Sequence, residues 1–459
     1  MLRRWEWSGS WDDRDALTNT LVQAGLTPPE AERKARLFAE AAAAIPAGQP
    51  AVGFFVPGRV EVLGKHTDYA GGQSIVAPIE RGFCLVALAR PDRRVFLTNV
   101  DSAEVVSVEL SGDLVPVQGH WLGYPMTVVR RVVRNFPGID RGAEIAFASD
   151  LPPAAGMSSS SAFMVAVFLA LAELNAIDQH PAWEENINSL EDLAGYLATV
   201  ENGQNFGSLA GDRGVGTQGG SEDHTAILLG RAGQLLRYRY VPVDFVETIP
   251  LPPEWVFAIA ASGVVAEKTG AALEKYNAAS FRARELARLW QEVTGRGEAT
   301  LGAITDCGPA AVDELRRIIS TKVGDPAERE LLRARLEHFV LENQEVLPQA
   351  ADALRAGDFE RFGQLVDRSQ WGAENLLGNQ VPETSFLARS ARELDAVAAS
   401  AFGAGFGGAV WALVRKDQAE DFLGRWSAAY CAQFPHRLPQ AHFFLTRPGP
   451  AAFVLRPGP

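Results

Sequence analysis

Apolar residues recur at three- and four-residue spacing between about residues 12 and 46, over Asp15–Ala24 and Pro29–Ile45. This spacing predicts two amphipathic helices, the second opened cleanly by Pro28-Pro29. The pattern then changes. Val52–Pro57, Ser74–Pro78, Gly82–Ala89, Arg94–Asn99 and Val105–Leu110 are short runs rich in β-branched and aromatic residues, and they read as successive strands of an antiparallel or mixed sheet. Helical spacing returns at Trp121–Asn135, a strand follows at Ala143–Ala148, and a helix runs from Ala162 to about Ala176. Ser189–Val200 reads as a helix and Thr225–Leu229 as a helix or a strand. Pro250–Pro253 is a plausible domain boundary. Beyond it the pattern predicts a strand at Trp255–Ala261, helices over Glu267–Thr294 and most of Asp313–Arg355, and a helix at Leu387–Ala399. The strand Ala409–Val414, the helix Gln418–Phe434 and the strand His442–Thr446 complete the chain before a Pro/Gly tail.

Three glycine-bearing loops interrupt this pattern. Pro57–Gly72 is a polar loop flanked by glycines. Leu151–Ala162 reads L-P-P-A-A-G-M-S-S-S-S-A and feeds an apolar helix. Gly403–Gly408 has glycine at four of six positions. The first turn of a helix carries unpaired N–H groups and the positive end of the dipole, so four serines there suit a phosphate cradle. An ordinary capped core helix with a Ser-rich entry is the other reading. Gly58-x5-Gly64-Lys65-His66-Thr67 is not a P-loop, because its spacing is one residue too long and no helix can open in the Asp68-Tyr-Ala-Gly-Gly that follows. The Gly403–Gly408 cluster lacks the strand–glycine–helix order of a dinucleotide fingerprint, since a helix is expected before it and a strand after. Its glycine density argues for a backbone passing close to a ligand or another loop.

Composition narrows the function classes. The chain has 459 residues, 47% hydrophobic and 22% charged, enough for two or three domains. A formal net charge of −13 and the absence of a Lys/Arg block give no reason to expect a nucleic-acid partner. The three cysteines, Cys84, Cys307 and Cys431, have no metal spacing and leave one unpaired, so a reduced, cytoplasmic protein is expected. Met-Leu-Arg-Arg-Trp-Glu-Trp is too polar for a signal peptide, and no apolar run reaches the roughly 18 residues of a membrane helix. We expect a monomer and leave an oligomer open.

The three loops, in this order, resemble the signature motifs of the GHMP kinases, the superfamily of galactokinase, homoserine kinase, mevalonate kinase and phosphomevalonate kinase. Pro152–Ser160 matches the phosphate loop, and Gly-Ala-Gly-Phe-Gly-Gly matches the third motif. Pro57-Gly-Arg-Val-x-x-x-Gly-x-His-Thr-Asp-Tyr-x-Gly-Gly is similar to the galactokinase signature in particular. Trp121-x-x-Tyr124, Tyr276-Asn277 and Pro448-Gly-Pro-Ala extend the resemblance over almost the whole chain. It implies an α+β GHMP-kinase fold. Residues 1–235 would form a ribosomal-protein-S5-like mixed sheet with helices, carrying the sugar and phosphate loops. Residues 236–459 would form a ferredoxin-like α/β domain, with the site between the two.

The same resemblance implies roles. Gly156, Met157, Ser158, Ser159, Ser160 and Ser161 would hold the ATP phosphates at the helix N-terminus, and Ser160 and Glu201 would ligate Mg²⁺, a cation suited by hard oxygens. Asp223, where galactokinases have Gly-x-Met-Asp-Gln, would be the base for the sugar hydroxyl, with Arg59 beside it stabilising the transferring charge. Lys65, His66, Asp68, Gly220 and Tyr276 would meet the sugar. On residue type alone, Asp223 also fits a helix-starting cap, Arg59 a solvated strand charge and Tyr276 helix packing. Two positions depart from the galactokinase pattern: Lys65 stands where Glu is usual, and Glu61 where Asn is usual. If Lys65 points into the site, a uronic acid such as galacturonate becomes a candidate. If it pairs with Glu61, the site stays neutral. The glycine-rich stretch 203–220 could reshape the sugar pocket or act as a lid. The expected activity is Mg·ATP-dependent phosphorylation of the anomeric (C1) hydroxyl of galactose. The alternatives are a 1-kinase for another aldose or a uronic acid, and a non-catalytic sugar sensor.

Overall fold

The computed structural model describes residues 2–152, 155–265 and 271–458. Pro153 and Ala154 of the serine-rich loop, and the expected helix start at Glu267, lie outside the described residues.

Thirteen strands form two sheets among the described residues. The first holds β1 (Arg3–Trp7), β2 (Val52–Leu63), β3 (Gln73–Arg90), β4 (Arg94–Asn99), β5 (Glu104–Glu109), β6 (Gly142–Ser149), β7 (Gln234–Arg239), β8 (Asp244–Pro250) and β13 (Phe453–Pro457), in the order β1-β13-β2-β3-β6-β4-β5. The β1/β13 and β4/β6 pairs are parallel and the rest antiparallel, so the sheet is mixed. The second sheet is antiparallel, in the order β10-β11-β9-β12, built from β9 (Trp255–Ala261), β10 (Ala398–Phe402), β11 (Ala409–Arg415) and β12 (His442–Thr446).

Several boundaries differ from the sequence pattern. β2 continues through Pro57 and β3 through Pro78–Gly82, because the irregularity is absorbed by register shifts at Pro57/Arg59 and Glu61/Leu63 rather than by chain breaks. The β7/β8 hairpin extends the first sheet from β3, so the expected division at 235/236 falls inside β7. The last strand of the chain also returns to the first sheet, between β1 and β2. The expected helix Leu387–Ala399 stops early; Ala398–Phe402 is strand β10, and the Gly403–Gly408 loop joins two strands. Its Ala-rich sequence reads as helix, yet burial between neighbours decides it as strand.

Helices α1 (Arg14–Gln23) and α2 (Pro28–Ala43) cover one face of the first sheet. Leu17, Leu21 and Phe38 pack there on Phe55, Val86 and Phe453. Burying Phe38 alone contributes about 2–3 kcal/mol. Lys34 of α2 is also buried, with its Nζ 2.9 Å from Glu30 and 2.6 Å from Asp150. The other face packs α3 (Gly123–Asn135), α4 (Ser159–Asn175), α5 (Pro181–Asn186), α6 (Leu190–Asn202) and α7 (Glu222–Leu229). α4 is apolar almost all round and is correspondingly central. A helical layer follows: α8 (Ala271–Thr294), α9 (Leu301–Asp306), α10 (Pro309–Lys322), α11 (Pro326–Phe339), a π-helical stretch at Val340–Val346, α12 (Leu347–Ala356) and α13 (Phe359–Gly372). Leu286, Trp290, Leu315 and Phe339 centre its core. α14 (Pro382–Glu393) and α15 (Ala419–Gln433) close the outer face of the second sheet around Trp426 and Tyr430. The two sheets are tied at the centre, where Trp411 Nε1 on β11 donates to the Glu61 carbonyl on β2 at 3.1 Å.

Candidate active site

The N-termini of α4 and α7 converge on strand β2, and a cavity of about 720 Å³ opens beside them. Ser158 starts α4 in the left-handed region, at φ 58°. Its buried hydroxyl has no partner within the protein, and it lines the cavity with Ser159 and Ser160. Free N–H groups and an unpartnered hydroxyl facing a cavity together make an anion seat. The third glycine loop backs this seat. A Cβ on Gly408, whose φ is +85°, would stand 3.4 Å from Gly156 Cα, so the two loops touch backbone to backbone. This close approach accounts for the glycine density.

Arg59 is the central cation. Its Nε donates to Asp223 Oδ1 at 2.8 Å and its Nη1 to the Gly156 carbonyl at 2.7 Å, so one guanidinium links the phosphate loop to α7. Burial alone would lower its pKa, but Asp223, Glu222 and Glu61 outweigh that and hold the charge firmly on. Asp223 and Glu222 occupy the first turn of α7, where the dipole favours carboxylates. Ser161 bridges the acids behind them: its hydroxyl donates to Glu201 Oε2 at 2.7 Å and lies 3.3 Å from Asp223 Oδ2.

The expected site residues divide on this geometry. Arg59, Asp223, Gly156, Ser158, Ser159, Ser160, Glu201, His66, Asp68, Gly220 and Tyr276 all line the cavity. Met157, Ser161 and Lys65 do not. Met157 is in the hydrophobic core and meets Arg59 only through its carbonyl, 3.3 Å from the Arg59 N–H. Ser161, the third residue of the helix, faces the protein interior and is spent on Glu201. Lys65 turns away: its buried Nζ donates to Ser369 Oγ of α13 at 2.8 Å, so neither expected use of this lysine, in the cavity or paired to Glu61, is made. Lys65 lies past the end of β2 at Leu63 and after Gly64 at φ +108°, so strand alternation does not carry from residue 61 to residue 65.

His66 lies in the cavity wall with both ring nitrogens occupied. A carbonyl can only accept, so Nε2–H donates to Ala404 O at 3.1 Å and Nδ1 accepts from the Tyr69 hydroxyl at 2.8 Å. Burial and the nearby Arg335 push its pKa down to about 4, so the ring is neutral and presents a face beside Tyr276. Asp68 opens a one-turn 3₁₀ helix, and its Oδ2 receives the Glu222 N–H at 3.3 Å. Burial raises its pKa, with the Tyr69 and Glu222 N–H groups pulling the other way. Gly220 passes directly over it: a Cβ there would stand 2.5 Å from Asp68 Oδ2.

Sequence reasoning missed the supports of this loop. In the π-helical stretch, Glu342 Oε1 accepts the Gly64 N–H at 2.7 Å and Asn343 Oδ1 the Gln73 N–H at 2.7 Å. Arg335 Nη2 donates to the His66 carbonyl at 2.6 Å. Acids and amides in an amphipathic helix carry no sequence mark of such a role. The 203–220 stretch is tied down: Arg130 Nε reaches Asp212 at 2.7 Å, Arg131 the Gln204 carbonyl at 2.7 Å, and Asn277 accepts from the Gln218 N–H at 2.8 Å. It walls the cavity through Val215, Thr217, Gly219 and Gly220. The far end of the cavity is aromatic, with Trp121, Phe147 and Phe163 centred 4.6–5.9 Å apart. Of these three, Trp121 was marked by motif, and Tyr124 of the same motif also lines the cavity.

Ser160 and Glu201 offer a hydroxyl and a carboxylate, the hard oxygens that suit Mg²⁺. No cluster of three or more His, Cys, Asp or Glu able to hold a metal occurs among the described residues. The donor set therefore fits a cation that keeps waters and phosphate oxygens in its shell, not a caged one. No helix among the described residues is long and apolar enough to cross a membrane.

Comparison with known proteins agrees with this arrangement. The galactokinase galactose-binding signature matches residues 45–89, the GHMP kinases N terminal domain residues 123–231, and the GHMP kinases C terminal model residues 350–432. A galactokinase of Roseiflexus sp. (strain RS-1) is 30% identical over 379 residues, covering 82% of this chain and 86% of its own. A galactokinase of Actinobacillus pleuropneumoniae is 28% identical over 374 residues, covering 80% and 86%. In fold, the chain is similar to Lactococcus lactis galactokinase complexed with galactose, with a TM-score of 0.72 at 23% identity over 88% of this chain and 94% of that one. Shared motifs and extended similarity lead to one statement: this chain belongs to the galactokinase family of the GHMP kinases.

Proposed function

We propose that the protein transfers the γ-phosphoryl group of ATP to the anomeric (C1) hydroxyl of galactose. The observation that carries this reading is the Arg59–Asp223 contact, set between an open anion seat and a polar pocket in one cavity. Phosphoryl transfer asks a protein chiefly for positioning and charge stabilisation. The Ser158–Ser160 turn supplies donors for the phosphates, and the aromatic end of the cavity takes the base. Ser160 and Glu201 would hold Mg²⁺, which when bound neutralises phosphate charge. Asp223 accepts or orients the proton of the sugar hydroxyl, and Arg59 offsets the charge that develops beside it. Asp68 and the Gly220 backbone meet the sugar hydroxyls, and the neutral His66 fixes the pocket's shape through Tyr69 and Ala404.

The polar end argues against a uronic acid. Glu61, Asp68, Glu222 and Asp223 line it against one guanidinium, and Lys65 is occupied elsewhere. ADP release measured over galactose, other aldoses and galacturonate tests this. Galactose is expected to be turned over and galacturonate not, and Lys65→Met is expected to leave the order of sugars unchanged. Galactose binding without ADP release would establish a sensor instead. A changed order in Lys65→Met would place that side chain in the pocket.

Gly220 gives a second test. An Ala Cβ there collides with the Asp68 carboxylate and the Tyr69 amide. Gly220→Ala is expected to raise KM for galactose about tenfold or more while KM for ATP changes little. An equal rise in both would show that the whole cleft had moved.

A further inference from the structure

Two carboxyl groups in the cavity wall have no part in the mechanism above. Glu61 on β2 and Glu222 on α7 are each only 4% exposed, line the cavity, and leave an Oε1 without a partner. They lie side chain to side chain, and both bear on Arg59. Glu222 Oε1 stands 3.9 Å from Arg59 Nε, and Glu61 follows Arg59 by two positions on the same strand. The galactokinase pattern has Asn at the first position and Met at the second, so this chain places an acid pair where an amide and a thioether are usual.

Two touching carboxylates cannot both stay charged at low cost in a buried site. One proton between them turns a contact of two acceptors into an O–H···O bond. We propose that Glu61 and Glu222 are a positioning pair that shares one proton and so keeps Arg59 on Asp223. With the proton in place the pair carries a single negative charge. Asp223, at 2.8 Å, then outcompetes Glu222 for the guanidinium. When the proton leaves, Glu222 gains charge and draws Arg59 off its line to the reacting oxygens. Burial raises both carboxyls, Glu61 to about 7 against Arg59 and Lys65, so the pair keeps a proton at neutral pH. The other ionisable groups facing the pair are Asp68, Asp223, Glu342 and Tyr240.

The inference rests on the kinase reading, so the test separates the two. kcat and KM for galactose are measured against pH for the wild type and for Glu61→Gln, whose amide donates permanently to Glu222. Wild-type kcat is expected to fall about fivefold as pH rises above neutrality and the shared proton leaves, with KM steady, and the fall is expected to vanish in Glu61→Gln. An identical fall in both proteins overturns the pair, as does a rise in KM with kcat unaffected, which would mark Glu61 as a sugar contact. Infrared titration needs no turnover. It should show a protonated carboxyl that persists at neutral pH and titrates above it in the wild type and is missing from Glu61→Gln; its absence from the wild type refutes the pair. If Glu61→Gln does not fold, Glu222→Gln is read against the same two outcomes. A wild type without galactose-dependent ADP release overturns the kinase reading alone.

Discussion

Asp223→Asn is expected to lower galactose-dependent ADP release by about a thousandfold while ATP affinity stays within about twofold. The substitution keeps the volume and one acceptor oxygen but removes the charge that receives Arg59 Nε. Arg59 remains held by the Gly156 carbonyl, and the Ser158–Ser160 seat does not involve Asp223. Binding of nucleotide and chemistry should therefore separate. Calorimetric titration with ATP and an ADP-release assay on the same preparation give the two numbers. Activity retained in Asp223→Asn would show that the carboxylate neither takes nor orients the hydroxyl proton. Loss of ATP binding would show instead that the Arg59 contact is needed to shape the phosphate loop.

The second large effect is on stability. Lys34 is fully buried in α2, and its ammonium answers Asp150 at 2.6 Å and Glu30 at 2.9 Å. Asp150 in turn accepts the Gly82 N–H at 2.9 Å, beside the register shift of the β2/β3 pair at Pro57/Arg59. Lys34→Met keeps most of the packing and leaves the two acids without their cation. Removing one partner of a buried pair costs about 3–5 kcal/mol. Urea unfolding should show that loss, and Lys34→Met combined with Asp150→Asn should recover part of it. Burial would lower the Lys34 pKa, yet Asp150 and Glu30 outweigh burial and raise it above the usual lysine range. A raised folded-state pKa stabilises fully below the unfolded value and stops doing so as pH climbs through the folded one. The wild-type advantage should thus be constant near neutrality and shrink only in strong alkali. A loss below 1 kcal/mol would mean that water reaches the acids.

The three loops at the cavity were legible because their composition is unlike any core element: serines at a helix start, glycines in a cluster, a charged run in a strand context. Ser158–Ser160 follow from that signal, whereas Arg59, Asp223 and Glu201 came from the family resemblance; all line the cavity. Side-chain direction was not legible. Lys65 and Glu61 differ by four positions, and the turn at Gly64 past the end of β2 sends one to α13 and leaves the other in the cleft. Ser161 belongs to the same serine run as Ser158, but helical rotation carries it to the acids behind. Strands β1, β7 and β8 are short and polar on one side, so periodicity alone did not mark them. β10 was hidden by alanine, whose intrinsic preference is helical.

The clamp on the Gly64–Gln73 loop spans 278 positions between Gly64 and Glu342, and 270 between Gln73 and Asn343. A chain that ends within α10 contains the entire galactose-binding signature and the serine turn but none of Arg335, Glu342 or Asn343. In such a chain the loop amides face water, and His66 has no guanidinium on its carbonyl. During synthesis the Gly64–Gln73 loop therefore cannot be clamped until the chain has passed Asn343, and closing so long a connection is among the slower steps open to a folding chain. The glycine loop that backs Gly156 comes later still, at Gly403–Gly408, so both walls of the cleft wait on the C-terminal third of the chain.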